Sequence, residues 1–408
     1  MTAASPQAVA PAALPRTVLD RIRSGNLGSW PVLIALAIVV IVFSQTAQNF
    51  FTPANFTNII TQMAGTCLLA YGVVFVLLIG EIDLSVSFVS GVAGVVVAQT
   101  QLPTGVNLPW YVCVFLALLA ASLIGAFQGS IVALVGVPSF VVTLAGYEIW
   151  QGVILRSIPG GVIVIQNNAI NNFSNYLFPT GWWGSGAVPG GWTLALVVSV
   201  IYLAANLGSA YAGTRHGIPI RNPIQFGLKL LVVPALAVLV VWIENKDRGI
   251  PLALIFMVGA LLVWTFVAKR TTFGRHVYAV GGNAEAARRA GINVARIRIL
   301  VFTISGGMSG LGGIVLAARL NSVDLNAGGG TLLIDAIAAA VIGGTSLFGG
   351  RGEIRHALIG AALISTVSNG MFIIGYTTGT IFIVTGLILL VAVTFDTVVR
   401  RLQMRSGR

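Results

Sequence analysis

Apolar runs of roughly membrane length alternate with short polar intervals along almost the whole chain. A spanning helix needs about 20 mostly apolar residues, with tolerance for tilt and breaks. On that measure the runs fall near 30–46, 57–79, 84–100, 110–135, 139–157, 191–206, 228–244, 250–268, 299–318, 331–348, 356–375 and 379–398. The pattern predicts an all-α polytopic integral membrane protein. The segments at 84–100, 139–157 and 331–348 are short or interrupted, and each reads either as a crossing or as a broken, re-entrant piece. Lipid tolerates the latter only where protein covers it.

Composition agrees with the pattern. Charged residues make up 8% of the chain, hydrophobic ones 56%, and the mean hydropathy is +0.93. Soluble domains carry about 25% charge. The formal charge of +12 would suit nucleic acid if the cations were gathered in one domain, but they fall between apolar runs, so no nucleic-acid partner is expected. With the N-terminus in the cytoplasm and strict alternation, nineteen of the 23 lysines and arginines lie on the cytoplasmic face. Only Arg156, Lys246, Arg248 and Arg319 lie outside, which is the positive-inside distribution. Both termini are then cytoplasmic. The expected organisation is an N-terminal tail at 1–29, a membrane domain at 30–398 and a C-terminal tail at 399–408. Trp30 to Phe43 lacks a convincing cleavage site, so the first run is a helix rather than a signal peptide.

The most polar interval with a strong positive balance, 271–299, carries Arg275, Arg288, Arg289, Arg296 and Arg298, with Glu285 as its only acid. It is expected as a cytoplasmic loop. Its centre reads as a short helix, with Asn283 as cap, Glu285 in the first turn and Gly291 closing it. On the opposite face, 157–191 is the longest loop. Its Trp182 and Trp183, with Trp192 just beyond it, read as an interfacial belt, or alternatively as a rim that receives a soluble partner.

No phosphate-cradling G-x-x-x-x-G-K-[ST] motif, His/Cys cluster or nucleophile elbow occurs, so neither an enzyme nor a bound cofactor is expected. Cys67 and Cys113 lie in apolar runs and read as small buried hydrophobes. Acids are scarce, and those near membrane depth are informative. Glu81 and Asp83 flank Ile82 between two runs; a helix cap and a place in a substrate path are both open readings for Asp83. Glu148 stands mid-run with Gln151 one turn later on the same face. Asp335 opens the run at 332–348, where an acid favours the helix dipole. Ser365, Thr366, Ser368 and Asn369 form a polar cluster suited to bonds between helices. Ser305-Gly306-Gly307, with Ser309, Gly310, Gly312 and Gly313, reads as a close-packing face.

Four stretches together carry a resemblance. Glu285-Ala286-Ala287-Arg288, with Gly291 at the close, resembles the E-A-A-x-x-x-G loop of ABC importer permeases. G-E-I-D-L-S-V-S at 80–87, P-S-F-V-V-T-L-A-G at 138–146 and D-A-I-A-A-A-V-I-G-G-T-S-L-F-G-G-R-G at 335–352 look like the monosaccharide branch of that family. Glu81 departs from it, since many members carry Gly there. The resemblance covers roughly 55–398 and implies the type II permease fold, with about ten core spans. The pair at 191–244, with its basic loop 212–229, looks like an insertion found in xylose-type members. It implies that the 269–298 segment couples to a separate tandem-domain ATPase, which uses ATP and Mg. It further implies a second permease subunit, a periplasmic or lipid-tethered binding protein, and a monosaccharide substrate, D-xylose or another pentose. The candidate path residues are then Glu81, Asp83, Glu148, Gln151, Asp335 and Asn369. An ion-gradient-driven transporter that uses Glu148 as its proton carrier is the rival reading.

Overall fold

The computed structural model describes residues 30–175, 177–178, 190–215, 217, 223–247 and 249–405. The tail at 1–29, the Trp182–Trp183 pair and Arg248 lie outside the described residues. The first helices are α1 (Trp30–Thr46), α2 (Pro53–Leu78), α3 (Val86–Thr100), α4 (Trp110–Ser130, prolonged by a π turn at Ile131–Val135), α5 (Ser139–Ser157) and α6 (Asn168–Asn175). Next come α7 (Gly190–Arg215), α8 (Pro223–Glu244), α9 (Leu252–Arg270), α10 (Thr272–Gly282) and α11 (Ala284–Arg289). The chain ends with α12 (Val294–Leu320), α13 (Leu332–Ile342), α14 (Ile354–Ile374) and α15 (Thr378–Arg405). Each of the twelve apolar runs contains a helix, and seven helices are long and apolar enough to cross a bilayer among the described residues.

From Met63 onward helix α2 carries no charged or amide side chain, and 83% of its most apolar stretch is buried, against 6% for α7 and for α8. A helix without a polar face belongs in a core, and α2 packs against α12, α13, α14 and α9. The inserted pair α7 and α8 pack on each other at the periphery. They are joined to the core where Thr57 Oγ1 donates to Glu244 Oε2 at 2.9 Å. Glycines let α12 approach its neighbours closely. A Cβ at Gly306 would lie 2.2 Å from the Ala121 carbonyl oxygen, and one at Gly313 would lie 2.0 Å from that of Ser90. The expected packing face is therefore real.

Contacts sort the loops onto two faces. On one, α2 ends beside α10, α12 and the segment after α13: Gly350 N–H donates to Leu78 O at 2.9 Å, and Lys269 pairs with Glu353. On the other, β1 (Val162–Val164) pairs antiparallel with β4 (Ser322–Asp324), and β2 (Leu177–Phe178) with β3 (Ile250–Pro251). Strict alternation of the twelve segments requires this same sorting. The first face carries the arginine-rich 269–298 segment and is called the basic face below.

The two halves share a plan in opposite senses. In each, a long central helix (α2, α12) is followed by a short one (α3, α13) and two longer ones. Both long helices close in the left-handed region, at Gly80 (φ 76°) and Asn321 (φ 52°). Each closure leads to Asp-Leu and the same turn: Asp83 Oδ1 accepts the Ser85 N–H and Asp324 Oδ1 accepts the Asn326 N–H, both at 3.0 Å. Since α2 ends on the face where α12 begins, the halves are inverted.

Four expectations are refined. The segment 271–299 is not an open loop, because α10 occupies most of its first half and α12 begins at Val294. Thr271 caps α10 by accepting the Gly274 N–H. Of the three interrupted runs, 139–157 is one unbroken helix, whereas α13 stops at Ile342, where Gly343-Gly344 follows. Eleven residues span about 17 Å, roughly half a bilayer core. The loop 157–191 holds β1, α6 and β2 rather than coil alone, and α15 continues into the expected C-terminal tail as far as Arg405.

Candidate functional site

Two places gather the polar residues: the basic face around α11, and the interior where α3 and α13 begin.

Helix α11 is built as its local sequence requires. Asn283 Oδ1 accepts the Ala286 N–H at 2.9 Å, satisfying one of the unpaired donors of a helix start. Glu285 stands in the first turn and pairs with Arg288 and Arg289 at 3.0 and 3.2 Å. Ile292 N–H reaches back to Ala287 O, and Gly291 takes φ 86°, a conformation costly for any residue with a Cβ. Ala287 is buried, while Glu285, Arg288 and Gly291 are exposed and Ala286 lies on the exposed side. Arg288, Gly291 and Arg298 line a hollow of about 330 Å³ between this helix and Ala133 of the π turn. The result is a capped, exposed, basic projection.

Two polar ties from this segment to the membrane helices stand out among the described residues. One runs through α10: Tyr278 Oη donates to Gly352 O at 2.8 Å. Nearby, Glu353 meets Lys269 at 2.9 Å, together with Arg355 and the more distant His356. Burial alone would push the Glu353 carboxyl up; the hydrogen bond from Lys269 and the neighbouring positive charges outweigh it and hold the group below its ordinary value. The other tie is Arg298 Nη2 to Glu81 Oε1, 2.9 Å and largely buried.

Beyond Glu81 the chain turns back into the protein. Asp83 is 5% exposed, and its Oδ2 accepts the Ser305 hydroxyl at 2.9 Å. Ser305 lies three turns into α12, about 17 Å from its start, so Asp83 sits well below the basic face. Asp83 does not itself cap α3. Ser85 occupies the cap position, and Asp83 holds Ser85 through its N–H and hydroxyl. Ser85 Oγ also lies 2.8 Å from the Gln128 amide oxygen, yet Gln128 Nε2 is buried with no partner. One hydroxyl proton cannot serve two acceptors. Exchanging the amide's O and N, an assignment that hydrogen bonding alone decides, lets Gln128 donate to Ser85 and Ser85 to Asp83.

From the opposite face, the loop before α13 descends to the same depth. A Cβ at Gly328 would lie 2.2 Å from Ser87 O, and one at Gly91 would lie 2.3 Å from Ala327 O. The starts of both short helices therefore converge in the interior, each with its positive dipole end inward. Asp83 and Asp335 stand at these ends. Asp335 is half-buried in the first turn of α13, and its Oδ2 accepts the Thr331 hydroxyl at 2.7 Å.

Glu148 is the middle residue of α5 and is exposed, with Gln151 half-exposed beside it. Neither has a hydrogen-bond partner among the described residues. Asn369 is buried in α14 with its Oδ1 unpaired. The structure thus brings Glu81 and Asp83 together, sets Asp335 at the facing helix start, and leaves Glu148 on an outer face. The sequence reading missed Arg298, Ser305 and Gln128 as partners, and also the buried Glu244. Gln128, an isolated amide in a membrane run, was the available signal.

The family described as the permease component of branched-chain amino acid transport systems matches residues 55–393. The chain is 34% identical over 385 residues to the xylose transport system permease protein XylH of Escherichia coli K12, covering 93% of this chain and 94% of that protein. It is 33% identical to the XylH of Haemophilus influenzae, covering 92% and 98%. With the ribose import permease protein RbsC of Escherichia coli K12 it shares 31% identity, covering 89% and 92%.

Proposed function

The chain belongs to this family of ABC transport permeases, and we propose that it is the membrane subunit of a monosaccharide importer, most similar to those for xylose. It is a multi-pass membrane protein and a transport subunit rather than an enzyme. The observation that carries the reading is α11, a capped, exposed, basic helix whose neighbours α10 and α12 are tied to the segment after α13 and to the turn before α3. A soluble ATPase that pulls on such a projection moves the membrane helices without entering the bilayer. The ATPase binds and hydrolyses Mg-ATP; this chain supplies the docking surface and the path.

The membrane is the bacterial inner membrane, and the basic face is cytoplasmic, as the arginine distribution favours. The fold is the type II permease fold, ten core spans in two inverted halves with α7 and α8 added. Glu148 favours a homodimer: a carboxylate at bilayer depth on an outer face needs water or protein against it, and a second copy meeting α5 provides both. The path then runs between subunits, lined by Glu148 and Gln151, with Asp335 and Asn369 as further candidates. Carboxylate and amide groups suit any small polyol, so a periplasmic or lipid-tethered binding protein selects the sugar and a tandem-domain ATPase drives it. Glu285, Ala286, Ala287, Arg288 and Gly291 form the coupling surface. The substrate is D-xylose or another pentose, on the similarity to the xylose permeases. Labelled xylose uptake in a deletion strain complemented with this gene and its partners tests it. Excess xylose is expected to compete; competition by ribose or arabinose alone would move the assignment to another pentose, and competition by galactose alone overturns it.

A further inference from the structure

The turn from Glu81 to Ser85 is held residue by residue by three different helices. Arg298 of α12 grips the Glu81 carboxylate at 2.9 Å. Ile82 is gripped by its backbone: its N–H donates to Ser139 Oγ at 3.1 Å, and its carbonyl accepts from Thr143 Oγ1 at 3.2 Å. Both hydroxyls belong to the first turns of α5. Asp83 returns to α12 through Ser305 at 2.9 Å, and Ser85 meets Gln128 of α4. Gly146 of α5 closes against that amide, since a Cβ there would lie 2.4 Å from Gln128 Nε2.

Arg298 and Ser305 are two turns apart on α12, so they present one stripe of that helix to the turn. A helix clamped at two points along its axis cannot slide or roll relative to this turn without breaking a charge-assisted bond. The chain from Gly291 to Arg298 is short, and α12 begins within it at Val294, so displacement of α11 reaches Arg298 with little slack. On the far side of the turn stands α5, whose central Glu148 is exposed.

Resting on the reading that α11 docks the ATPase, we propose that Glu81 and Asp83, clamped by Arg298 and Ser305, are positioning residues that pass displacement of α11 and α12 on to α5. In this arrangement Glu81 and Asp83 are not sugar ligands. The alternative for the same residues, a lining of the sugar path, is separated by the experiment. The clamp requires that the turn and α12 move as one body throughout the cycle.

The test uses the full transporter, reconstituted with its ATPase and binding protein, and reads sugar uptake per ATP hydrolysed. A Glu81→Cys, Arg298→Cys pair, in a chain with Cys67 and Cys113 replaced by alanine, removes the ion pair. A short bifunctional thiol reagent then restores the connection covalently. The unlinked pair is expected to lose coupled uptake by about tenfold, within the usual range for coupling between sites, while hydrolysis continues. Linking is expected to bring the ratio back to within about threefold of the unsubstituted chain. Wild-type coupling in the unlinked pair, or continued uncoupling once linked, overturns the relay. Asp83→Asn gives a second reading: a lower ratio with an unchanged half-saturating sugar concentration supports positioning, and a raised half-saturating concentration supports a sugar ligand instead. Failure of the unsubstituted chain to take up sugar with ATP would instead reject the functional reading itself.

Discussion

Tyr278 donates its hydroxyl proton to the Gly352 carbonyl oxygen across 2.8 Å, fastening α10 to the segment that follows α13. Burial, and secondarily the Glu353 charge, push the Tyr278 phenol above its ordinary value, so it keeps the proton it donates. Three residues on, a Cβ at Gly281 would lie 1.7 Å from Leu78 O, whereas Gly282 has nothing within 4 Å. Gly281→Ala is therefore expected to separate α10 from α2 and lower the melting temperature sharply, and Gly282→Ala to leave it unchanged. Tyr278→Phe should cost about 1 kcal/mol, the usual net value of one hydrogen bond. Melting curves of the purified protein check all three, and equal effects of the two glycine substitutions would refute the contact.

Gly291 separates conformation from packing. It has φ 86° and open space around it, so alanine there meets only the left-handed backbone penalty of about 1–2 kcal/mol. Proline cannot adopt that φ at all and also removes the N–H donated to Arg288 O. Gly291→Ala should retain most coupled uptake. Gly291→Pro should insert normally yet lose uptake and ATPase stimulation. Native coupling in the proline variant would show that α11 is not the docking element.

Glu353 makes stability depend on pH. Its folded-state carboxyl titrates below the ordinary value, so the stabilisation is complete above the unfolded pKa of about 4.3. It is lost as pH falls through the folded value. With Lys269 and Glu353 38% and 29% exposed, screening limits the contribution to about 1 kcal/mol. Melting temperatures of the native chain and of Glu353→Gln should differ at pH 7 and converge in acid. A constant difference down to pH 3 would contradict this.

How far these features could be read from sequence depended on distance along the chain. Asn283, Glu285 and Gly291 were legible because a capped helix is a local pattern. So was the packing face at Gly306 and Gly310, which needs only small residues at helical spacing. The helix at 272–282 was hidden by its own polar residues, Arg275 and His276, in an interval marked as loop by charge. The Arg298–Glu81 pair and the Ser305–Asp83 bond were not legible, because the folding of the turn back against α12 determines them. In sequence Asp83 is open to a cap or a path role; Ser85 takes the cap position, and Ser305, far away in sequence, stands opposite Asp83.

The two faces can be told apart by labelling. Gly282 is exposed on the basic face and Asn326 is exposed on the other; Ala327, next to it, packs onto Gly91 and is a poor reporter. Single cysteines at 282 and 326, in a background without Cys67 and Cys113, should react with an impermeant reagent from opposite sides. Only Asn326→Cys should label on intact cells. Labelling of Gly282→Cys alone would invert the proposed orientation, and labelling of both from outside would contradict the sorting of the two faces.

A separate ATPase, not an ion gradient, is proposed to drive sugar through this subunit, and Glu148 is the residue on which the two mechanisms differ. Uptake into proteoliposomes decides it, using the native chain and Glu148→Gln, with the ATPase and binding protein present. Uptake is expected to require ATP, to ignore an imposed proton gradient, and to survive in Glu148→Gln, reduced by no more than about tenfold. Uptake driven by the proton gradient without ATP, and abolished in an assembled Glu148→Gln protein, would contradict it.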